Sequence, residues 1–216
     1  MGRYRLDKPG LNVAHPNPSE KELGAYTYEG RSWKIDENAI VPVMGNDSPF
    51  ADDITYRTKE FIRVVWGDET LTENLNFLQE FLGMDLEKFL VTKFWDYHKR
   101  MYKKRPIYWL FSSKNGAFQV LTYMHRMDKY TVQKIRQNYL HRYQAWLAEQ
   151  VDKLSADEAN LSRQEQRKLE EHRKAQIECK EYDEILKELA KQQIEFDLDD
   201  GVVVNYAKFG EAVRKI

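Results

Sequence analysis

KYTVQKIRQNYLHRYQAWLAEQVDKL, residues 129–154, and RQEQRKLEEHRKAQIECKEYDEILKELAKQ, residues 163–192, decide the fold. In the first, Val132, Ile135, Tyr139, Tyr143, Trp146, Gln150 and Leu154 fall on one helical stripe. In the second, His172, Ala175, Cys179, Tyr182, Leu186 and Leu189 recur at alternating steps of three and four, the spacing of a heptad seam. Two such stripes joined by a short polar segment bury each other most simply as an antiparallel helical hairpin over 129–192. Ser155 with Glu158 and Ser162 with Glu165 offer capping boxes at the reversal. The charge-dense outer faces read as solvated and paired at i,i+4.

Working outward, residues 93–142 carry twelve Lys and Arg against Asp96 and Asp128, a net charge of +10. Residues 1–92 sum to −6 and residues 143–216 to −5, so a near-neutral chain contains one basic block between two acidic ones. Trp95, Tyr97, Tyr102, Tyr108, Trp109, Phe111, Tyr123, Tyr130 and Tyr139 interleave with those cations. Cations among rings suit a polyanion with flat faces, which points to nucleic acid. A solvated basic surface over an aromatic core gives the same composition, and composition alone leaves both open.

Upstream, residues 1–128 predict an α+β module. Residues 1–24, with Pro9, Pro16 and Pro18, read as extended; residues 25–35 alternate as a short hairpin, to which Ile40 to Val43 adds a third strand. Three helices follow. One shows Ile54, Phe61, Ile62 and Val65 and stops at Gly67. The next opens on a Thr70/Glu73 capping box and stops at Gly83. The third runs from Asp85 to about Tyr102 with Leu86, Leu90, Phe94, Tyr97 and Met101 as its core face. Ile107 to Phe111 and Phe118 to Met124 then predict a β-hairpin rising from KRMYKKR. Residues 193–216 predict a second hairpin about Asp200-Gly201, closed by a short helix from about Tyr206. The fold class is therefore mainly α with small β-hairpins (α+β), a helical core plus a long antiparallel helical hairpin.

Several chemistries lack their residues. Cys179 is the one cysteine, so an internal disulfide is excluded and a reducing cytoplasm is expected. No apolar run approaches a membrane span. Five histidines are scattered, without metal-ligand spacing, and P-loop, dinucleotide and nucleophile-elbow motifs are missing. Asn17-Pro18 begins like the Asn-Pro-Pro-aromatic loop of adenine methyltransferases but continues with Ser19 and Glu20. Glu178-Cys179-Lys180 copies the tail of a nuclease motif, yet sits on a heptad helix without an acidic partner upstream in a strand. Neither supports a catalytic site.

RLDKPGLNVAHPNP, DDITYRTKEFIRVVWGDETLTENLNFLQE, KRPIYWLFSSKNGAFQVLTYMHR and DLDDGVVVNYAKFG resemble, in that order, the carboxy-terminal part of the PglX-type adenine-specific DNA methyltransferases of BREX phage-defence systems. Related stretches occur in large type II restriction-modification methylases. The resemblance implies a non-catalytic module, with no cofactor of its own, from a protein that methylates adenine N6. S-adenosylmethionine would be held in an upstream catalytic domain. On this reading Lys103, Lys104, Arg105, Lys114, Arg126 and Lys129 contact phosphates of double-stranded DNA and help to position it. The rival is a protein-docking module that assembles other defence-system subunits. In either case a cytoplasmic protein is expected.

Overall fold

The computed structural model describes residues 25–28, 30–34, 38–45, 48–195 and 197–216. The extended reading of residues 1–24, Asn17-Pro18 included, lies outside them. Strands β1 (Ala25–Tyr28) and β2 (Arg31–Lys34) pair antiparallel. Trp33 fixes this hairpin to helix α1 (Ile54–Trp66): its indole N–H donates to the Arg57 carbonyl, the Arg57 guanidinium lies over its ring, and Phe61 meets it edge-on. Strand β3 (Ile40–Pro42) departs from the expected place. It pairs with β5 (Gln119–Tyr123), giving a three-stranded antiparallel sheet of order β3-β5-β4 with β4 (Tyr108–Ser112). Buried side chains at Ile40 and Val43 find apolar partners there.

Asp53 caps α1. Its buried carboxylate accepts from the backbone N–H groups of Met44, Gly45 and Thr55, tying the β3–α1 connection to the helix start. Helix α2 (Leu71–Leu82) lays Leu71, Leu75, Leu78 and Leu82 on a small cluster around Ile62, Leu86 and Leu90. Its capping box does not form, because the Thr70 hydroxyl donates backward to the carbonyls of Trp66 and Gly67.

The third helix is two. Helix α3 (Leu86–Thr92) ends at Lys93, whose φ of −122° breaks the helical path, and α4 (Phe94–Met101) begins beyond it. The break shifts the buried stripe: Leu86 and Leu90 are buried before it, Trp95 and His98 after it. Tyr97 and Met101, expected in the core, are therefore exposed.

Strands β4 and β5 are buried almost throughout, which is why 107–111 reads as a continuous apolar run rather than an alternating one. Trp109 and Phe111 meet Phe209 edge-on, and Trp109 also meets Tyr206. Phe118, after the turn, meets Tyr143 and Tyr182 of the long helices. The carboxy-terminal segment joins the edge of β4, with Val213 bridging Phe111 and the Arg214 N–H donating to the Leu110 carbonyl.

The long helices run α5 (Thr131–Lys134), a π-turn (Ile135–Leu140) and α6 (His141–Ser155), then return as α7 (Arg163–Lys191). Gln144 donates to the Cys179 carbonyl, and Arg136 makes a bidentate pair with Asp183, so early residues face late ones and the two are antiparallel. Leu169, His172, Cys179, Tyr182, Leu186 and Leu189 are buried along the seam. Ser162 and Glu165 form their capping box. The expected hairpin about Asp200-Gly201 is absent. Val202–Ala207 is helix α8, started by Gly201 at φ +83°, and its Tyr206 stacks on Trp95. Three consecutive valines favour strand locally, but the ring contact on the core overrides them.

Asp183 also accepts from His141. Burial works against its charge, yet the Arg136 and His141 hydrogen bonds outweigh it and hold the carboxyl below the ordinary value of 3.8. A lowered folded-state value adds stability that is present above that ordinary value and lost as pH falls through the folded one. Asp183→Asn should cost about 1–3 kcal/mol at neutral pH. The gap between variant and parent melting temperatures should narrow on acidification below the ordinary value, as thermal melts across pH would record.

Candidate nucleic-acid interface

The basic block divides on folding. Lys99 pairs with Asp96, Lys134 with Asp128, Arg136 with Asp183 and Lys129 with Glu195, while Arg142 lies over the Phe50 ring. Lys93, Arg100, Lys103, Lys104, Arg105 and Lys114 form no ion pair among the described residues. Five of these six are exposed along α4 and the turn that leaves it. The positive charge of that last turn also complements the negative end of the α4 dipole.

The turn is built by hydrogen bonds that close the helix twice over. The Lys103 N–H donates to the Arg100 carbonyl and the Lys104 N–H to the Lys99 carbonyl, at 3.1 and 2.9 Å. These are the paired bonds of a Schellman stop, whose left-handed residue is usually glycine. Here Lys103 and Lys104 both adopt positive φ, 49° and 63°. Each β-carbon in that conformation costs about 1 kcal/mol. Arg105 then donates its N–H to the Tyr102 carbonyl. An open cavity of about 420 Å³ lies against the turn, lined by Met101, Tyr102, Lys103 and Arg105.

Aromatic rings flank these cations. His98 is buried, and its Nε2 accepts the Tyr108 backbone N–H at 3.2 Å, so the imidazole is neutral on that nitrogen; burial lowers its pKa from the usual 6.5. Around it stand Tyr102 and Tyr108, with centroids 4.7 and 5.6 Å away. Tyr108 meets Tyr123 at 5.3 Å, and Tyr123 meets His125 at 5.2 Å. Burial, then Tyr123 and Tyr102, push the Tyr108 hydroxyl pKa up, so it stays protonated at neutral pH.

The six sequence candidates are therefore placed unequally. Lys103, Lys104 and Arg105 lead into β4 and Arg126 follows β5, and the Met124 N–H bonds the Ile107 carbonyl to hold those two ends together. Lys129, just beyond, is engaged by Glu195 at 3.6 Å and lies over the Tyr130 ring. Lys114 sits in the turn at the other end of the hairpin, a strand length of roughly 17 Å away. That turn is pinned by Glu178 of α7, which accepts from Asn115 N–H, the Asn115 amide and Ala117 N–H. Burial opposes the Glu178 charge, but these donors and Ser113 outweigh it and lower its pKa. The Glu-Cys-Lys stretch thus has a structural use at its first residue. Burial, with a smaller contribution from Glu178, pushes the Cys179 thiol up to about 12, far from a reactive thiolate.

Sequence reasoning missed Lys93 and Arg100. Their i,i+7 spacing with Tyr97 between them was visible, but it was assigned to a core-facing helix. The cavity does not suit S-adenosylmethionine, whose sulfonium and ammonium would meet Lys103 and Arg105 with no carboxylate lining it. Among the described residues no group of three or more His, Cys, Asp and Glu is placed to hold a metal ion, and no helix is long and apolar enough to cross a membrane.

No family model matches the chain. Along its whole length it is 42% identical to the adenine-specific methyltransferase BrxX of Escherichia coli O9:H4 (strain HS). It is 34% identical, over 96% of its length, to the adenine-specific methyltransferase PglX of Lacticaseibacillus casei (strain Zhang). The chain spans 19% and 18% of those relatives, about a fifth of each.

Replacing Lys103 or Lys104 by Gly should stabilise the fold by up to about 1 kcal/mol, because glycine adopts the left-handed turn without the β-carbon penalty. Urea denaturation of each variant checks this; a lower midpoint would show that the lysine side chains hold the turn.

Proposed function

We propose that this chain, which matches the carboxy-terminal part of PglX-type adenine-specific methyltransferases, is a non-catalytic module that grips the DNA backbone and so helps to position duplex for methylation. The observation that carries the reading is the set of exposed cations at 93, 100 and 103–105 that the chain's own carboxylates leave without an ion pair. Phosphate contacts from such a set fix orientation without reading sequence. Arg126, at the same end of the sheet, extends the set, whereas Lys114 and Lys129 contribute less, the first by its position and the second by its pairing with Glu195. In this reading the methyl donor and the transfer chemistry belong to the remaining four-fifths of the longer relatives, in a phage-defence setting of the BREX kind, in the cytoplasm.

A protein-docking role for the same module is the rival, favoured by Phe81 of α2, which is 78% exposed. Binding that survives charge reversal on the turn but fails on Phe81→Ser would select it.

With about four phosphates neutralised, affinity for duplex DNA should fall roughly 100-fold between about 50 and 200 mM salt. Lys103→Glu, Lys104→Glu and Arg105→Glu together should abolish binding at the higher salt and flatten the slope. Absence of duplex binding by the parent chain at low salt would dispose of the reading.

A further inference from the structure

We infer that the face formed by Tyr102, Tyr108, Tyr123 and His125, beside the Lys103–Arg105 turn, takes unpaired nucleotides, stacking their bases while the cations hold the phosphates. The inference rests on the DNA reading above and narrows it from duplex backbone to bases freed from pairing.

A face that only gripped duplex phosphates would need charge and no rings. This one presents four ring side chains in a connected row. Tyr102 is 41% exposed and Tyr108 37%, and His125 is exposed at the far end. Exposing tyrosines forgoes apolar burial, and these are not stray surface residues, because each touches the next. Tyr108 and Tyr123 are cross-strand partners in register, so the pleat places them on one face. His98 underlies Tyr102 and Tyr108, stacks on Phe94, and accepts the Tyr108 amide, so the row stands on a packed base and loses little freedom on binding. Cations sit at the edge of the row. Lys103 and Arg105 line the cavity that Tyr102 opens onto, and its 420 Å³ falls within the usual range for small-ligand pockets, about 300–1,000 Å³. Tyrosine faces stack on any base, and the phosphates that join successive bases lie within reach of flanking cations; this is the composition of sequence-tolerant single-strand surfaces. The protonated Tyr108 hydroxyl adds no charge to repel phosphate.

The test uses the chain with a labelled oligothymidylate of about 16 nucleotides and a duplex of mixed sequence, followed by fluorescence anisotropy at several salt concentrations. The parent is expected to bind both. Tyr102→Ala and Tyr108→Ala should each weaken oligothymidylate binding roughly 5- to 100-fold and leave duplex binding within about twofold. Tyr102→Phe and Tyr108→Phe, which keep the ring, should bind like the parent. Because Tyr108→Ala opens a strand, photocross-linking of iodouridine-substituted oligonucleotide to the unmodified chain gives an independent readout, with adducts expected at Tyr102 or Tyr108. Duplex binding without oligothymidylate binding, alanine variants that bind the oligonucleotide like the parent, or adducts confined elsewhere would each overturn the stacking proposal while leaving the backbone grip intact. Equal competition by polyglutamate against both the parent and the alanine variants would also overturn it, marking a purely electrostatic surface. Binding to neither nucleic acid at low salt removes both readings together.

Discussion

A hairpin buried on both faces holds this structure together. Strands β4 and β5 offer Trp109, Phe111, Val120 and Leu121 with almost no exposed surface, so every neighbouring element must come to them. The C-terminal segment supplies Tyr206 and Phe209, the long helices supply Tyr143 and Tyr182, and β3 closes the open edge of β5. The Tyr182 hydroxyl, enclosed with them, donates to the Ala212 carbonyl and so ties α7 to the last turn of the chain. Burial raises its pKa well above the ordinary value, which keeps that donor protonated. Helix α7 is thus anchored at three levels: Glu178 at the hairpin tip, Tyr182 in the core and Asp183 at the π-turn.

The same hairpin explains where the charge goes. An apolar ribbon has no room for cations along its length, so the lysines and arginines of its neighbourhood are displaced to its two ends. At the tip, Glu178 orders the loop through Asn115 and Ala117 and Lys114 is left at the rim. At the open end no carboxylate performs that service for 103–105, and the turn is stopped by backbone bonds alone. Charge and rings meet at that end because α4 delivers its exposed face, Tyr97 and Arg100, where the strands begin.

Much of the fold was legible. Periodicity located α1, α2, β4, β5 and the seam of α7, because each buries its stripe against a neighbour with the spacing its own geometry dictates. The failures have local causes. Lys93 breaks a helix without glycine or proline to mark it. Thr70 spends its hydroxyl on preceding carbonyls instead of a cap. Val202, Val203 and Val204 are β-branched yet helical, because Tyr206 must reach Trp95. The basic character of 93–142 was also plain, but its partition was not. Asp183 and Glu195 lie more than forty residues from the cations they take up, and only the folded chain brings them together. The row Tyr102–Tyr108–Tyr123–His125 combines a helix end, two strands and a loop, so no one-dimensional pattern contained it.

The six-residue π-turn at Ile135–Leu140 carries a consequence for how sequence change can be tolerated. A π-turn accommodates one residue more than an α-helix over the same axial rise. Removing a single residue there would restore regular winding and swing everything on one side about the helix axis by about 100°. The azimuth of the basic end relative to the long helical pair is thus set by one residue's worth of phase. Substitutions within 135–140 leave that angle alone, whereas a one-residue deletion would re-aim the whole surface without touching a residue of it.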